Sequence, residues 1–133
     1  MKRYLFLDDK RTPQEAFYYM SNNIYLQADF EWVKNYDEFV EFIDKFYWET
    51  LTIPDFISFD HDLGLEHYRD AFSEEIPYDS YSEKSGFHCA KWLVNFCLDH
   101  NINYIRFAVH SMNVVGSKNI ASLINQFNNL NNG

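Results

Sequence analysis

The chain alternates short, uninterrupted apolar runs with longer stretches in which apolar residues recur every three or four positions. A continuous run suits a parallel strand buried on both faces; the three-to-four spacing marks a helix with one covered side. Tyr4-Leu5-Phe6-Leu7 is the first such run, and it stops abruptly at Asp8-Asp9, as a buried strand does on reaching solvent. In Thr12-Pro13-Gln14-Glu15 an N-cap precedes a proline at the first helical position and a glutamate at the third, so a helix starts near Pro13. Phe30, Trp32 and Val33 predict a second strand, and Asp37 is expected to cap a helix that turns Phe39, Val40, Ile43, Phe46 and Tyr47 inward. After Pro54, Phe56-Ile57-Ser58-Phe59 repeats the logic of the first run and ends in Asp60-His61-Asp62, ahead of Gly64. Gly86 is expected to precede a helix with Cys89, Trp92, Leu93, Phe96 and Cys97 inward, ending around His100-Asn101. Tyr104 to Val109 predicts a fourth strand running into His110-Ser111. Ser117 is expected to cap a last helix with Ile120, Leu123, Ile124 and Phe127 on one face, before an Asn-rich tail that frays.

Strands alternating with helices imply one α/β domain over residues 1–133, three layers deep, around a mostly parallel sheet of four to five strands. In the common doubly wound order, 2-1-3-4, the carboxyl ends of the strands share one edge, and ligands bind where strands one and three end side by side. Residues 65–85, rich in Tyr, Asp, Glu and Ser around Pro77, lack periodicity and predict a long mobile loop able to cover that edge as a lid.

Composition narrows the field. The 133 residues are 47% apolar and rich in Phe and Tyr, enough for a substantial core. No run approaches the roughly 20 apolar residues of a membrane span, and no signal-peptide core precedes Asp8, so a cytoplasmic protein without membrane attachment is expected. Cys89 and Cys97 are eight positions apart on one helix, too far to bridge, and read as reduced, buried thiols. A net charge of −9 without clustered Lys and Arg argues against tracking of duplex DNA phosphates. A small anion could still bind, given a cation to offset the local acids.

The chemistry follows from three strand ends. Asp8, Asp9, Asp60 and Asp62 would bring up to four carboxylates together, which cannot all stay ionised without a compensating proton or cation. A divalent metal is the simplest compensation. Oxygen ligands suit Mg²⁺; ligation by His61 or His110 favours Mn²⁺, Zn²⁺ or Fe²⁺, and Mg²⁺ or Mn²⁺ is the expectation. Such an ion polarises a phosphoryl oxygen and activates water while a histidine moves protons, so the natural reaction is phosphoester hydrolysis. Arg11 can pair with the acids or with substrate, the structural pairing being favoured. Ser111 and Asn113 can donate to phosphate oxygens or shape the turn after strand four. Gly86 can open a helix N-terminus that binds an anion, or simply start a helix. Gly64, Gly86 and Gly116 are placed in loops, where they suit close backbone approach to a ligand. No Walker, dinucleotide or nucleophile-elbow pattern is present.

Taken together, Leu5-Phe6-Leu7-Asp8-Asp9 with Arg11 and Pro13, Ile57-Ser58-Phe59-Asp60-His61-Asp62-Leu63-Gly64, and His110-Ser111-Met112-Asn113 with Gly116 and Asn119-Ile120 resemble the cyclic-phosphate-processing receiver-like domain. The resemblance spans nearly the whole chain and implies a receiver-like (flavodoxin-like) fold. It further implies a metal-dependent role on cyclic or terminal phosphates of a nucleotide or RNA end, in RNA repair or phage and bacterial conflict. By the match, Asp8 and Asp9 take the place of the metal-holding acidic pair, Asp60 that of the phospho-accepting aspartate, and Ser111 that of the small hydroxyl residue. No strand-five lysine follows, and His61, Asp62 and His110 are additions, which favours hydrolysis over phosphotransfer. The expected sets are therefore Asp8, Asp9 and Asp60 for the metal, His61, Asp62 and His110 for catalysis, and Arg11, Ser111, Asn113 and Gly86 for phosphate. The alternatives are a signalling module phosphorylated on Asp60, and a binding protein that sequesters a nucleotide under the Tyr-rich loop.

Overall fold

The computed structural model describes residues 2–70 and 72–132, the side chains of Asn131 and Asn132 excepted. Four strands, β1 (Tyr4–Leu7), β2 (Phe30–Val33), β3 (Phe56–Phe59) and β4 (Phe107–Val109), form one sheet in the order β2-β1-β3-β4. All three pairings are parallel. The helices are α1 (Pro13–Met20), α2 (Ile24–Gln27), α3 (Tyr36–Thr50), α4 (Leu65–Arg69), α5 (Gly86–Asp99) and α6 (Val114–Asn132). This is the expected α/β architecture, with four strands.

Alternation along the strands builds the layers. Leu5 and Leu7 of β1, with Ile57 and Phe59 of β3, enter a large core with Phe39 and Ile43 of α3, Leu93 and Cys97 of α5, and Ile120 and Ile124 of α6. Each fully buried Leu or Ile there contributes about 1.5–3 kcal/mol. Phe6 points the other way, into a smaller cluster with Ala16 of α1 and Tyr25 of α2. Both cysteines are free and buried, as expected, and burial pushes both thiols up.

The helix starts hold one agreement and several corrections. Thr12 and Glu15 form the predicted capping box at α1. For α3 the cap is Asn35, whose Oδ1 accepts from the Glu38 amide at 2.9 Å, while Asp37 sits in the first turn, where the helix dipole favours an acid. For α6 the cap is Asn113 rather than Ser117: Oδ1 of Asn113 accepts from the Gly116 amide at 2.8 Å. Gly86 opens α5 instead of preceding it. Strand β4 begins at Phe107 rather than Tyr104, and α6 runs on through the Asn-rich tail to Asn132, with Gly133 outside the described residues. Short α2 carried too few residues to show a period.

The 65–85 segment contains α4 and a 3₁₀ turn at Tyr78–Ser80. Buried His67 organises it: Nδ1 accepts from the Leu63 amide and Nε2 donates to the Glu83 carbonyl, both at 2.8 Å. No helix among the described residues is long and apolar enough to cross a membrane.

Candidate active site

Strand register builds the site. Leu7 lies level with Phe59, and Phe59 with Val109. The ladder continues one residue further: the amides of Asp8, Asp60 and His110 donate to the carbonyls of Val33, Leu7 and Phe59 at 3.0, 2.9 and 2.9 Å. Asp8, Asp60 and His110 therefore stand abreast at the carboxyl edge. Because Leu7 and Phe59 face the large core, the next residue on each strand faces the Phe6 side. His110 accordingly stacks on Phe6, ring centroids 4.3 Å apart.

All three side chains are essentially inaccessible. Burial opposes the charge on Asp8, but hydrogen bonds from His110 and from the Arg11 and Lys10 amides outweigh it and hold the carboxyl below its usual range. Asp60 fares differently: burial first, then the neighbouring Asp8, push it up to about 8 despite Arg11. Its Oδ1 accepts from the His61 amide at 2.8 Å and pairs with Arg11 at 3.2 Å, whereas Oδ2 is buried without a partner among the described residues. Arg11 thus bridges the two acids, its Nε 3.1 Å from Asp8. One ligand atom each from Asp8, Asp60 and His110 lie within 4.8 Å of one another, a group that could hold a metal ion. A buried acid pair with an orphaned carboxylate oxygen is a donor set such an ion would satisfy.

The protons on His110 can be placed. Nε2 lies 3.0 Å from Asp8 Oδ2 and Nδ1 lies 2.7 Å from Ser58 Oγ, itself 2.7 Å from Tyr25 OH. Burial lowers the His110 pKa, with Asp8 opposing, so the ring is neutral. Since charged Asp8 only accepts, Nε2 carries the proton, Nδ1 accepts from Ser58, and Ser58 accepts from Tyr25. In this tautomer His110 donates to Asp8; ligation through Nε2 requires the proton to move to Nδ1.

His61 and Asp62 form a second cluster. His61 Nδ1 is 2.7 Å from Asp62 Oδ1, and Nε2 is 2.8 Å from Tyr78 OH, which also accepts from Asn119 Nδ2 at 2.9 Å. Asn113 Nδ2 donates to Asp62 Oδ1 at 3.1 Å, so the residue capping α6 also locks the dyad. A Cβ on Gly116 would fall on the His61 ring, so the close approach here is to the protein itself.

The remaining expected residues divide. Asp9 stands apart from the Asp8–Asp60–His110 group and accepts from Tyr68 OH at 2.7 Å; burial, then Asp8, raise its pKa. The Gly86 amide, expected to hold phosphate, donates instead to the His61 carbonyl at 2.8 Å, and a Cβ there would fall on the Asp60 carbonyl oxygen. Its role is close packing of α5 against the strand end. Arg11, Ser111, Asn113 and Asp62 line an open cavity of about 440 Å³, whose wall is completed by Lys10, Tyr68, Phe72 and Met112. Sequence reading missed Tyr25 and Ser58 and reached Tyr68 and Tyr78 only as members of the Tyr-rich 65–85 segment. Ser58, a hydroxyl inside a buried, largely apolar strand, carried a signal of its own, because a buried hydroxyl needs a partner.

The acid pair under a crossing arginine, at the edge of a β2-β1-β3-β4 sheet, lies within a segment that matches a known family. The profile described as cyclic-phosphate processing receiver domain matches residues 3–126. The chain belongs to this family. The matched span of the receiver domain runs from just before β1 into α6 and includes every strand end that feeds the site. No curated protein and no solved structure matches the chain significantly.

Proposed function

We propose that this receiver domain is a metal-dependent phosphoesterase that hydrolyses a cyclic or terminal phosphate of a nucleotide or RNA end. The observation that carries the reading is the buried Asp8–Asp60 pair beside His110, with Asp60 Oδ2 unpartnered among the described residues. Asp8 and Asp60 would hold the ion, with His110 as third donor in its other tautomer; the oxygen-rich set favours Mg²⁺ or Mn²⁺. When bound, the ion supplies Lewis-acid polarisation and an acidic water.

The chain's own residues do the rest. Lys10 and Arg11 meet the phosphate oxygens at the cavity wall, with Ser111 as a hydroxyl donor. Asp62 takes the proton of the attacking water and returns it to the departing ribose oxygen. Buried His61 behind it, held by Tyr78 and Asn113, sets its orientation. Before an ion binds, His110 positions Asp8 through Nε2; as third donor it would give that contact up. In this division His61 acts through Asp62, because its ring is not exposed. Phosphorylation of Asp60 as a signal has less support, since its carboxyl is 1% exposed and turned to Arg11. Cytoplasmic residence belongs to the same proposal and accords with the free thiols.

The test is turnover. Purified protein with Mn²⁺ or Mg²⁺ is incubated with nucleoside 2′,3′- and 3′,5′-cyclic phosphates and phosphorylated RNA ends, and products are followed by phosphorus NMR. Hydrolysis that disappears in Asp60→Asn is expected. Silence across the whole panel with both ions ends the reading.

A further inference from the structure

The cavity lined by Arg11 and Asp62 combines two unlike kinds of surface. Lys10, Arg11, Asp62, Ser111 and Asn113 bring polar groups to it, and Tyr68, Phe72 and Met112 bring aromatic and apolar ones. Phe72 is 97% exposed and Met112 69% exposed, so two large apolar side chains stand open at the mouth of one concavity. Singly exposed apolar residues are ordinary, but two lining one cavity together with buried Asp62 mark a ligand surface. Tyr68 is held in place from both sides: its hydroxyl donates to Asp9 at 2.7 Å, and Lys10 Nζ lies 4.6 Å from its ring centroid. That anchoring ties Tyr68 to Asp9 and sets the Lys10 cation against its ring.

We propose that Tyr68, Phe72 and Met112 form a base-binding subsite, so that the substrate is a free mononucleotide carrying a cyclic or terminal phosphate. The inference rests on the phosphoesterase reading and names the substrate class of the same site. The base lies on Phe72 and Met112, the π face of a flat heteroaromatic ring against a phenyl group and a polarisable thioether. The ribose phosphate extends past Lys10 toward Arg11 and Ser111. A cavity of about 440 Å³ falls within the range of small-molecule pockets. A longer strand would need a positively charged groove along its backbone, and a chain of net charge −9, with Asp62 in the cavity lining, is poorly suited to provide one.

Calorimetry with the Mn²⁺-loaded full chain tests the subsite, using adenosine 2′,3′- and 3′,5′-cyclic phosphates, a short RNA ending in a 2′,3′-cyclic phosphate, and base-less 1-O-methylribose 2,3-cyclic phosphate. The mononucleotide should bind more tightly than the base-less compound and at least as tightly as the RNA. Phe72→Ala and Met112→Ala should each weaken the mononucleotide about tenfold, as loss of one stacking partner does, and leave the base-less compound unchanged. Phe72→Leu, apolar but not aromatic, should fall between, and unchanged melting temperatures exclude misfolding at these exposed positions. Equal affinity with and without the base, or indifference to Phe72→Ala, overturns the subsite while leaving phosphoesterase activity standing. RNA binding far more tightly than the mononucleotide overturns the substrate class. Base-dependent binding without hydrolysis of any compound upholds the subsite and sinks the phosphoesterase reading.

Discussion

Asp60→Asn replaces a buried carboxyl by a neutral group of nearly the same shape, so it isolates the charge on which the metal site depends. Burial and Asp8 raise the Asp60 pKa from an ordinary 3.8 to about 8 in the folded chain. An acid whose pKa is raised on folding binds its proton more tightly folded than unfolded. Its contribution to stability is complete below the unfolded value and is lost as pH rises toward the folded one. Between about pH 5 and 8 the loss is on the order of 1 kcal/mol per pH unit. For a chain of this length that corresponds to about 4 °C in Tm per unit. Melting curves followed by circular dichroism in EDTA across this range should show the wild type losing about 4 °C per pH unit relative to Asp60→Asn, because other titrating groups cancel in the difference. Mn²⁺ at about a hundred times its Kd should raise the wild-type Tm by about 10 °C and leave the variant unmoved. Parallel wild-type and variant curves in EDTA would refute the reasoning: Asp60 would then not be held protonated by its surroundings, and the electrostatic case for a cation would fail.

Three further outcomes are expected. Gly86→Ala forces a methyl group onto the Asp60 carbonyl oxygen, where backbone has to move, and should cost about 3 kcal/mol in urea unfolding and weaken Mn²⁺ binding; a neutral result contradicts the packing. Ser58→Ala strips the partner from Tyr25 OH and His110 Nδ1, and urea unfolding should register a loss of about 1–3 kcal/mol. Cys89 and Cys97, buried with their thiols pushed up, should resist a disulfide-exchange reagent in the native protein and react only on denaturation; rapid native labelling speaks against this core.

The strands were legible because a strand buried on both faces is a short, largely apolar run: Tyr4–Leu7 is wholly apolar, and Phe56–Phe59 is interrupted only by Ser58. Both end in acid for the same reason, and those acids marked the site edge. The helix caps were less legible. Asn35 and Asn113 outcompeted Asp37 and Ser117 because a cap is chosen by where the chain enters the helix, which tertiary packing fixes.

By itself, the sequence determined that acids and histidines would gather at the ends of β1, β3 and β4. Only the tertiary structure decided which of them face one another. Side chains alternate along a strand, and the register sets Asp8, Asp60 and His110 abreast with the same parity, turned toward Phe6. Asp9 meets Tyr68, and His61 is closed in by Gly116 and Tyr78. The partners that do this, Tyr25, Tyr68 and Tyr78, lie on elements too short or irregular to carry a pattern. Their positions follow from packing across distances in sequence that no local period records.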